Sequence, residues 1–538
     1  MSTASGAEGR SRAIAFWTGI LLTTAGTAMH LPMYLAAKGM HYKLAGMAPD
    51  RAMVIGMVLI VVGLVATTYG LIPRRMNFDA VSRFRVRALD DARIGRAHIR
   101  LLLVMAVAVT IDVMKPTTLA FVVPGVAKEY GLRSPLHPSG PLPVALLPLA
   151  GIMGTVLGSF IWGSLGDRIG RRSSMLLAGV LFTATAICGS MPSFQLNLLM
   201  CFIMGIGVGG MLPIAFALLS ETIPARHRGW LLVLVGSDIA GAYIITSWLS
   251  SALGPTFGWR ILWLIGLPTG LLLILLTRWV PESPRFLLAR GQDAAARSVL
   301  KEYGAAIIPV KESELDVEAR LRPQFGQLLR QPFSSQTLVL SLIGLSLGLV
   351  VFGFQLWLPS NLRHLGLRDV SADSLLRDAA LLGLPLNLLV AYLYHRSSRW
   401  TLISTSGLVA VALFGFVALG NGVARNHTIL TALLVLPIWG SSSIAAVLTA
   451  YSSEVFPTRI RSRGTGLVAG MTKAGGVGVI ALVVAAAASP SIAVMALLGA
   501  VPLAAATAIA LAVVVETRGR RLEEITAEEL GVGALATG

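Results

Sequence analysis

The sequence predicts an all-α polytopic membrane protein, and three observations carry that prediction. Hydrophobic residues make up 55% of the 538 positions and charged residues only 13%, with a mean hydropathy of +0.75, a balance foreign to a water-soluble domain of this length. About fourteen stretches are apolar over the roughly 20 residues, at about 1.5 Å each, that a helix needs to cross a bilayer. The basic residues fall between alternate stretches.

The stretches begin near residues 14, 53, 100, 144, 173, 194, 229, 258, 337, 374, 399, 428, 462 and 490. The first carries two arginines, an apolar core and small residues at Thr27 and Ala28, which also fits a signal peptide; its length favours an uncleaved anchor. A formal charge of +18 would suit nucleic acid if it gathered on one face. Instead Arg10 and Arg12, eight arginines between 74 and 100, Arg168/Arg171/Arg172, Arg226/Arg228, Arg396/Arg399, Arg459/Arg461/Arg463 and Arg518/Arg520/Arg521 all fall on one side of a fourteen-helix chain. That is the positive-inside pattern. It places both termini in the cytoplasm of a multi-pass inner-membrane protein and excludes nucleic acid as a partner. The two cysteines, Cys188 and Cys201, lie in apolar stretches and lack metal-ligand spacing, so neither a structural disulfide nor a metal site is expected.

GSLGDRIGRR, Gly163 to Arg172, sits between two spanning stretches and resembles the cytoplasmic loop between the second and third helices of major facilitator superfamily transporters. GIGVGG (205–210), ETIPARHRG (221–229), FGWR (257–260), PESPRFLLARG (281–291), YSSEVFPTRIRSRGTG (451–466) and ETRGRRLEEI (516–525) follow in order. Together they resemble the sugar-porter and organic-ion branch, above all bacterial metabolite:proton symporters of the nicotinate and aromatic-acid kind, over roughly residues 100 to 525. The resemblance implies a major facilitator fold of two six-helix halves, here with two extra N-terminal transmembrane helices. The organisation is then residues 1–98, two added helices and a basic linker; 99–280, the N-terminal half; 281–336, a cytoplasmic linker with an amphipathic run at Lys311 to Arg320; 337–515, the C-terminal half; and 516–538, a tail. Nothing chemical stands in the added helices beyond His30, which reads as packing or assembly.

The gate residues implied are Gly163, Asp167, Arg168, Gly170, Arg171 and Arg172, with Glu221 and Glu454 each seven residues before an arginine, Arg228 and Arg461. Asp167 and Arg168 close a turn, while Arg171 and Arg172 reach carboxylates and helix-end carbonyls. All these charges also anchor helix ends. The second half offers only YLYHRSSRW, Tyr394 to Trp400, without the aspartate or glycine, so its gate is expected to be held differently. Cys201 stands where relatives often place an intramembrane arginine.

Charges deep in a bilayer cost at least ~2.5 kcal/mol each and mark function. Asp112 lies about twelve residues into its helix, roughly 18 Å down into a ~30 Å core; Asp238 and Lys473 reach similar depths, and Lys115 shares the face of Asp112. VTIDVMKPTTLAFVVP (109–124) resembles the Asp-x-Met-Asp signature of nicotinate-like symporters with Lys115 in place of the second acid, and MTKAGG (471–476) resembles their Arg-x-Gly-Gly step with Lys473 as the cation. An anion held by Lys473, Lys115 or both is expected, with Asp112 or Asp238 carrying the proton; a buried Asp112–Lys115 pair that merely neutralises itself is the bland alternative. GFQLWLPSNL (353–362) resembles the end of the seventh helix of the same symporters, so that Gln355 and Trp357 line a cavity, Trp357 having an interfacial belt as its other reading. Asn387 is either a cavity group or a helix–helix hydrogen bond.

Drug efflux by proton antiport falls behind because GSDIAGAYIITSW (236–248) has no proline, and sugar transport because Gln355 stands alone rather than paired. A sensor would need a soluble appendage. No nucleophile elbow or phosphate loop supports an enzyme, and GIGVGG, inside an apolar helix, is a packing motif. The expectation is a monomeric transporter, without cofactor, coupling uptake of a small organic anion to protons by alternating access.

Overall fold

The computed structural model describes residues 2–71, 93–134, 139–237, 239–289, 292–304, 325–366, 369–456, 458–486 and 491–517. They form a nearly all-helical protein. Among them twelve helices are long and apolar enough to cross a membrane, and two further apolar stretches, Leu146–Ser159 and Phe194–Val208, are shorter. The count of fourteen therefore stands at twelve full-length spans. One of the short stretches ends because Gly209 and Gly210 break the helix before it resumes at Met211–Thr222, as adjacent glycines do at high entropic cost to a helix. The amphipathic run at Lys311 to Arg320 and the tail from Arg518 lie outside the described residues.

The chain divides into two compact, discontinuous units: Met1–Ala80, Val107–Leu218 and Ile245–Ala296 in one, Val81–Ala106, Leu219–Ile244 and Arg297–Gly538 in the other. In the first, the helices Leu146–Ile169 and Phe194–Val208 touch backbone to backbone. A Cβ on Gly205 would stand 2.0 Å from the Gly151 carbonyl oxygen. Lipid supplies no hydrophobic drive between helices, so small residues that allow this approach hold the pair. GIGVGG is that packing surface.

The added segment folds as an antiparallel hairpin of Ser2–Ala28 and Arg51–Leu71. Its seam is Gly19 and Gly26 against Gly56, Gly63 and Gly70; a Cβ on Gly63 would meet Thr23 Oγ1 at 2.4 Å and the Gly19 carbonyl oxygen at 2.7 Å. Threonines finish the seam without leaving a buried donor, Thr23 donating to the Gly19 carbonyl at 2.9 Å and Thr67 to the Gly63 carbonyl at 2.8 Å. His30, fully buried, uses Nδ1 on the Gly26 carbonyl at 2.9 Å.

In the second unit the helix Ser334–Gly348 passes through a π-helical stretch, Leu349–Gln355, into Leu356–His364. Such one-turn widenings turn side chains out of register and recur at functional sites.

Gly63→Val is expected to destabilise the protein by about 1–3 kcal/mol through overpacking, read as a lower melting temperature in detergent. Gly478→Ala, where an added Cβ meets nothing within 4 Å, is expected to leave it unchanged or slightly raised.

Candidate functional site

The GDRIGRR turn joins Leu146–Ile169 to Arg171–Ala184 through Gly170, the one residue between them, at φ 95°. An L side chain resists that conformation, and a Cβ there would also lie 2.4 Å from Glu282 Oε2. The space belongs to Glu282, whose Oε1 accepts the Arg171 N–H at 2.6 Å and the Arg172 N–H at 3.4 Å. A carboxylate under the first turn of a helix satisfies orphan amides and meets the positive end of the helix dipole. Arg172 Nε reaches the Thr277 carbonyl at 3.1 Å, binding the start of one helix to the end of another. Burial nevertheless raises the Glu282 carboxyl above the usual 4.5, against the pull of the Ser283, Arg171 and Arg172 amides and the Arg171 charge.

The second half repeats this arrangement with other residues. Glu516 accepts the Ser398 N–H at 2.9 Å and the Ser398 hydroxyl at 2.7 Å, and also the Ser397 hydroxyl, at the start of the helix Ser398–Leu419. Arg399 Nη2 reaches the Leu511 carbonyl at 2.6 Å. Each acid lies five residues beyond the carbonyl that its half's arginine grips, Thr277 to Glu282 and Leu511 to Glu516. The second helix start is therefore held by the same acid and arginine types, with two serines where the first has a glycine and an arginine. Neither glutamate was singled out by sequence, although both stood in the quoted strings.

Glu454 extends the second network. Its Oε2 accepts from Tyr394 OH at 2.8 Å and Thr517 Oγ1 at 2.7 Å, and Thr517 Oγ1 lies 2.7 Å from Ser398 Oγ. A Cβ on Gly229 would stand 2.5 Å from Glu454 Oε1, so the acid rests against the backbone beside Arg228, whose Nη2 donates to the Ile223 carbonyl at 3.3 Å. The side-chain positions at Gly163, Asp167, Arg168, Glu221 and Arg461, and Asp238 altogether, lie outside the described residues.

Asp112 and Lys115 sit near the middle of the helix Arg96–Tyr130, 2% and 3% exposed. Pro116 removes the amide that an unbroken helix would offer the Asp112 carbonyl, loosening the turn that carries both. The Lys115 ammonium donates to the Phe182 carbonyl and to Thr185 Oγ1, each at 3.0 Å, and stands 4.4 Å from the Phe182 ring centroid. It thereby caps the point where Arg171–Ala184 tightens into the 3-10 stretch Thr185–Ser190, a common use of lysine near a helix C-terminus. Lys473 lies half-buried on the helix Thr458–Ala486.

In the second unit Gln355 Nε2 donates to the Pro437 carbonyl at 3.0 Å and lies 3.4 Å from that of Ile438. Asn387 Nδ2 donates to the Ser237 carbonyl at 3.1 Å, and its Oδ1 lies 3.4 Å from Ser443 Oγ. Trp357 is 1% exposed, packed inside its unit rather than on an outward-facing belt. Its indole N–H and that of buried Trp439, a residue sequence reasoning missed, are donors without an acceptor among the described residues.

Two buried ion pairs were also missed. Arg363 Nη2 meets Asp373 Oδ1 at 2.9 Å, and Arg260 Nη2 meets Glu129 Oε1 at 2.7 Å. Arg260, in the FGWR string, also donates to Tyr130 OH at 2.9 Å and to the Gly189 and Met191 carbonyls at 3.2 and 2.9 Å.

A family description, the Major Facilitator Superfamily, matches residues 102–479. The niacin transporter NiaP of Acinetobacter baylyi is 28% identical over 83% of this chain and 99% of its own length. The 4-hydroxybenzoate transporter PcaK of the same organism is 28% identical over 72% of this chain and 85% of its own. Among solved structures, the proton:xylose symporter XylE of E. coli, bound to 6-bromo-6-deoxy-D-glucose, aligns with a TM-score of 0.63 at 18% identity, covering 80% of this chain and 99% of that one; the likeness is one of fold.

Because the folded Glu282 carboxyl holds its proton more tightly than the unfolded one, its contribution to stability is full below about pH 4.5 and is lost as pH rises through the raised value. Glu282→Gln is expected to flatten that part of a melting-temperature profile against pH, and Gly170→Ala to lower the melting temperature at every pH.

Proposed function

The chain belongs to the Major Facilitator Superfamily, and we propose that it is a symporter that carries a small organic anion, a carboxylate of the aromatic-acid class, together with protons. It is a multi-pass membrane transporter and not an enzyme. The observation that carries the finer reading is the pair of charges inside the helix Arg96–Tyr130, Asp112 and Lys115, each almost fully buried. Charges are kept at such depth only where they bind, relay or balance.

An ammonium has three donors, and Lys115 spends two of them on Phe182 and Thr185. It supplies fixed positive charge while its position stays set by the helix it caps. Lys473, half-buried, is the cation assigned to the carboxylate, with Gln355, Asn387 and the buried indole donors of Trp357 and Trp439 as the other site residues. A site rich in donors suits an acceptor-rich ligand. Asp112 or Asp238 takes and releases the coupled proton. The names of the relatives, a niacin and a 4-hydroxybenzoate transporter, point to the same substrate class.

Alternating access by the halves 99–280 and 337–515 is the transport mode that the family resemblance implies. The gate residues Gly163 to Arg172, Glu221, Arg228, Glu454 and Arg461 close the cytoplasmic side. Both termini face the cytoplasm, and the transporter works as a monomer in the inner membrane.

The test is a thermal-shift series on the full-length protein in detergent with nicotinate, 4-hydroxybenzoate, xylose and tetraphenylphosphonium. Stabilisation by a carboxylate is expected, through mass action on the native state; stabilisation by xylose or the lipophilic cation alone overturns the reading. Lys473→Ala is expected to weaken the active carboxylate by about tenfold or more, the scale of a lost charge-assisted hydrogen bond, and an unchanged affinity removes Lys473 from the site. In proteoliposomes, substrate-driven proton uptake is expected to disappear in Asp112→Asn or in Asp238→Asn; survival in both takes the two acids out of the coupling mechanism.

A further inference from the structure

The hairpin of residues 2–71 precedes the family match, which begins at residue 102, and yet it is bonded into the first unit at one point of high charge. Between its helices, residues 37–50 run across the end of the unit where Glu129 and Arg260 are buried. The backbone N–H groups of Leu44 and Ala45 both donate to Glu129 Oε1, at 2.8 and 3.0 Å. The same oxygen takes Arg260 Nη2 at 2.7 Å, while Oε2 takes the Trp259 indole N–H at 2.8 Å. Nearby, Tyr34 OH donates to the Phe257 carbonyl at 2.7 Å, and the rings of Tyr34 and Tyr42 stack at 4.7 Å. The Gly46 N–H reaches the Pro192 carbonyl at 3.2 Å.

We infer that the added hairpin is a latch: its loop fixes Glu129, and Glu129 in turn fixes Arg260 so that the end of the 3-10 stretch Thr185–Ser190 stays held in place. The reasoning is one of charge and count. Arg260 is fully buried and Glu129 nearly so, and a buried pair holds only when further hydrogen bonds satisfy its remaining atoms. The loop supplies two of those bonds to the carboxylate. Arg260 passes the order on by gripping the Gly189 and Met191 carbonyls, which flank the end of the 3-10 stretch. Removing the loop's amides leaves an under-satisfied carboxylate, a looser guanidinium and a freer segment around Gly189. The latch holds whatever the substrate is.

The protein contains its own reporter. Cys188 lies next to Gly189 and is fully buried; Cys201, also fully buried, lies on the helix Phe194–Val208 and bonds the Leu147 carbonyl at 3.4 Å. Held by that bond on a neighbouring helix, it reports loosening that spreads beyond the Thr185–Ser190 stretch. The loop also offers a clean perturbation. Leu44 to Met47 form a turn closed by the Met47 N–H on the Leu44 carbonyl at 3.0 Å, with Gly46 at φ 81°. That is a type II geometry whose second position favours proline. Ala45 occupies that position and is exposed, so Ala45→Pro deletes one amide donor and leaves the turn intact.

The experiment measures N-ethylmaleimide alkylation of Cys188 and Cys201 separately, by peptide mass spectrometry, in the full-length protein in detergent. Relative to wild type, Ala45→Pro is expected to speed Cys188 by roughly threefold and Glu129→Gln by roughly tenfold, because only part of the lost hydrogen-bond energy reaches the local opening around Gly189. Cys201 is expected to stay at its wild-type rate in both. Ala45→Gly, which keeps the N–H, is expected to leave Cys188 unchanged. Unchanged Cys188 rates in Ala45→Pro and Glu129→Gln overturn the latch, as does a parallel rise at Cys201 or an Ala45→Gly effect equal to that of Ala45→Pro.

Discussion

A helix that ends at the edge of a bilayer leaves four amides without partners, and the lipid offers none. This protein meets that constraint with carboxylates held under helix starts. Glu282 serves the Arg171 and Arg172 amides and Glu516 serves that of Ser398. Each acid is paired with an arginine that ties the same helix start to a carbonyl near the end of another helix, Thr277 or Leu511. The turn geometry, the space that Gly170 leaves empty and the Tyr394–Glu454–Thr517 network all follow from where those two acids must sit.

The repetition also shows what the two networks share. The residues beneath the acid have diverged, from glycine and arginine to two serines, while the acid, the arginine and the five-residue step between acid and gripped carbonyl remain. The serine version adds side-chain donors to the carboxylate, where the glycine version brings the backbone close enough for the amides to suffice. These are two solutions to one problem of hydrogen-bond supply.

Much of the fold was legible because membrane helices announce themselves by length and apolarity, and the family by its ordered strings. GIGVGG could be read as packing because glycine inside an apolar helix has few other uses. Glu129 was not legible: an acid at the end of an apolar run looks like an ordinary helix-end charge until Arg260, 131 residues away, and the hairpin loop are folded onto it. The burial of Trp357, two residues past a π-helical stretch, is not something that spacing in the sequence reveals. Lys115 showed its depth but not its cap, because the Phe182 carbonyl it bonds is backbone and leaves no trace in residue identity.

The way the hairpin is joined to its unit changes along its length. At the loop it is fixed by short bonds to a charge; around that point and along its helices it lies on a seam rich in thioethers, with Met33, Met53 and Met191 buried and Met47, Met57 and Met200 packed around them. Methionine is unbranched and polarisable and accommodates irregular or shifting neighbours at little cost. The attachment therefore works like a pinned strap with a compliant lining, able to keep its grip at one end while the helices beneath it slide. The same lining is chemically perishable, since oxidation of a thioether to the sulfoxide puts a polar group into the dry seam, so the compliance of this joint lasts only as long as its sulfurs stay reduced.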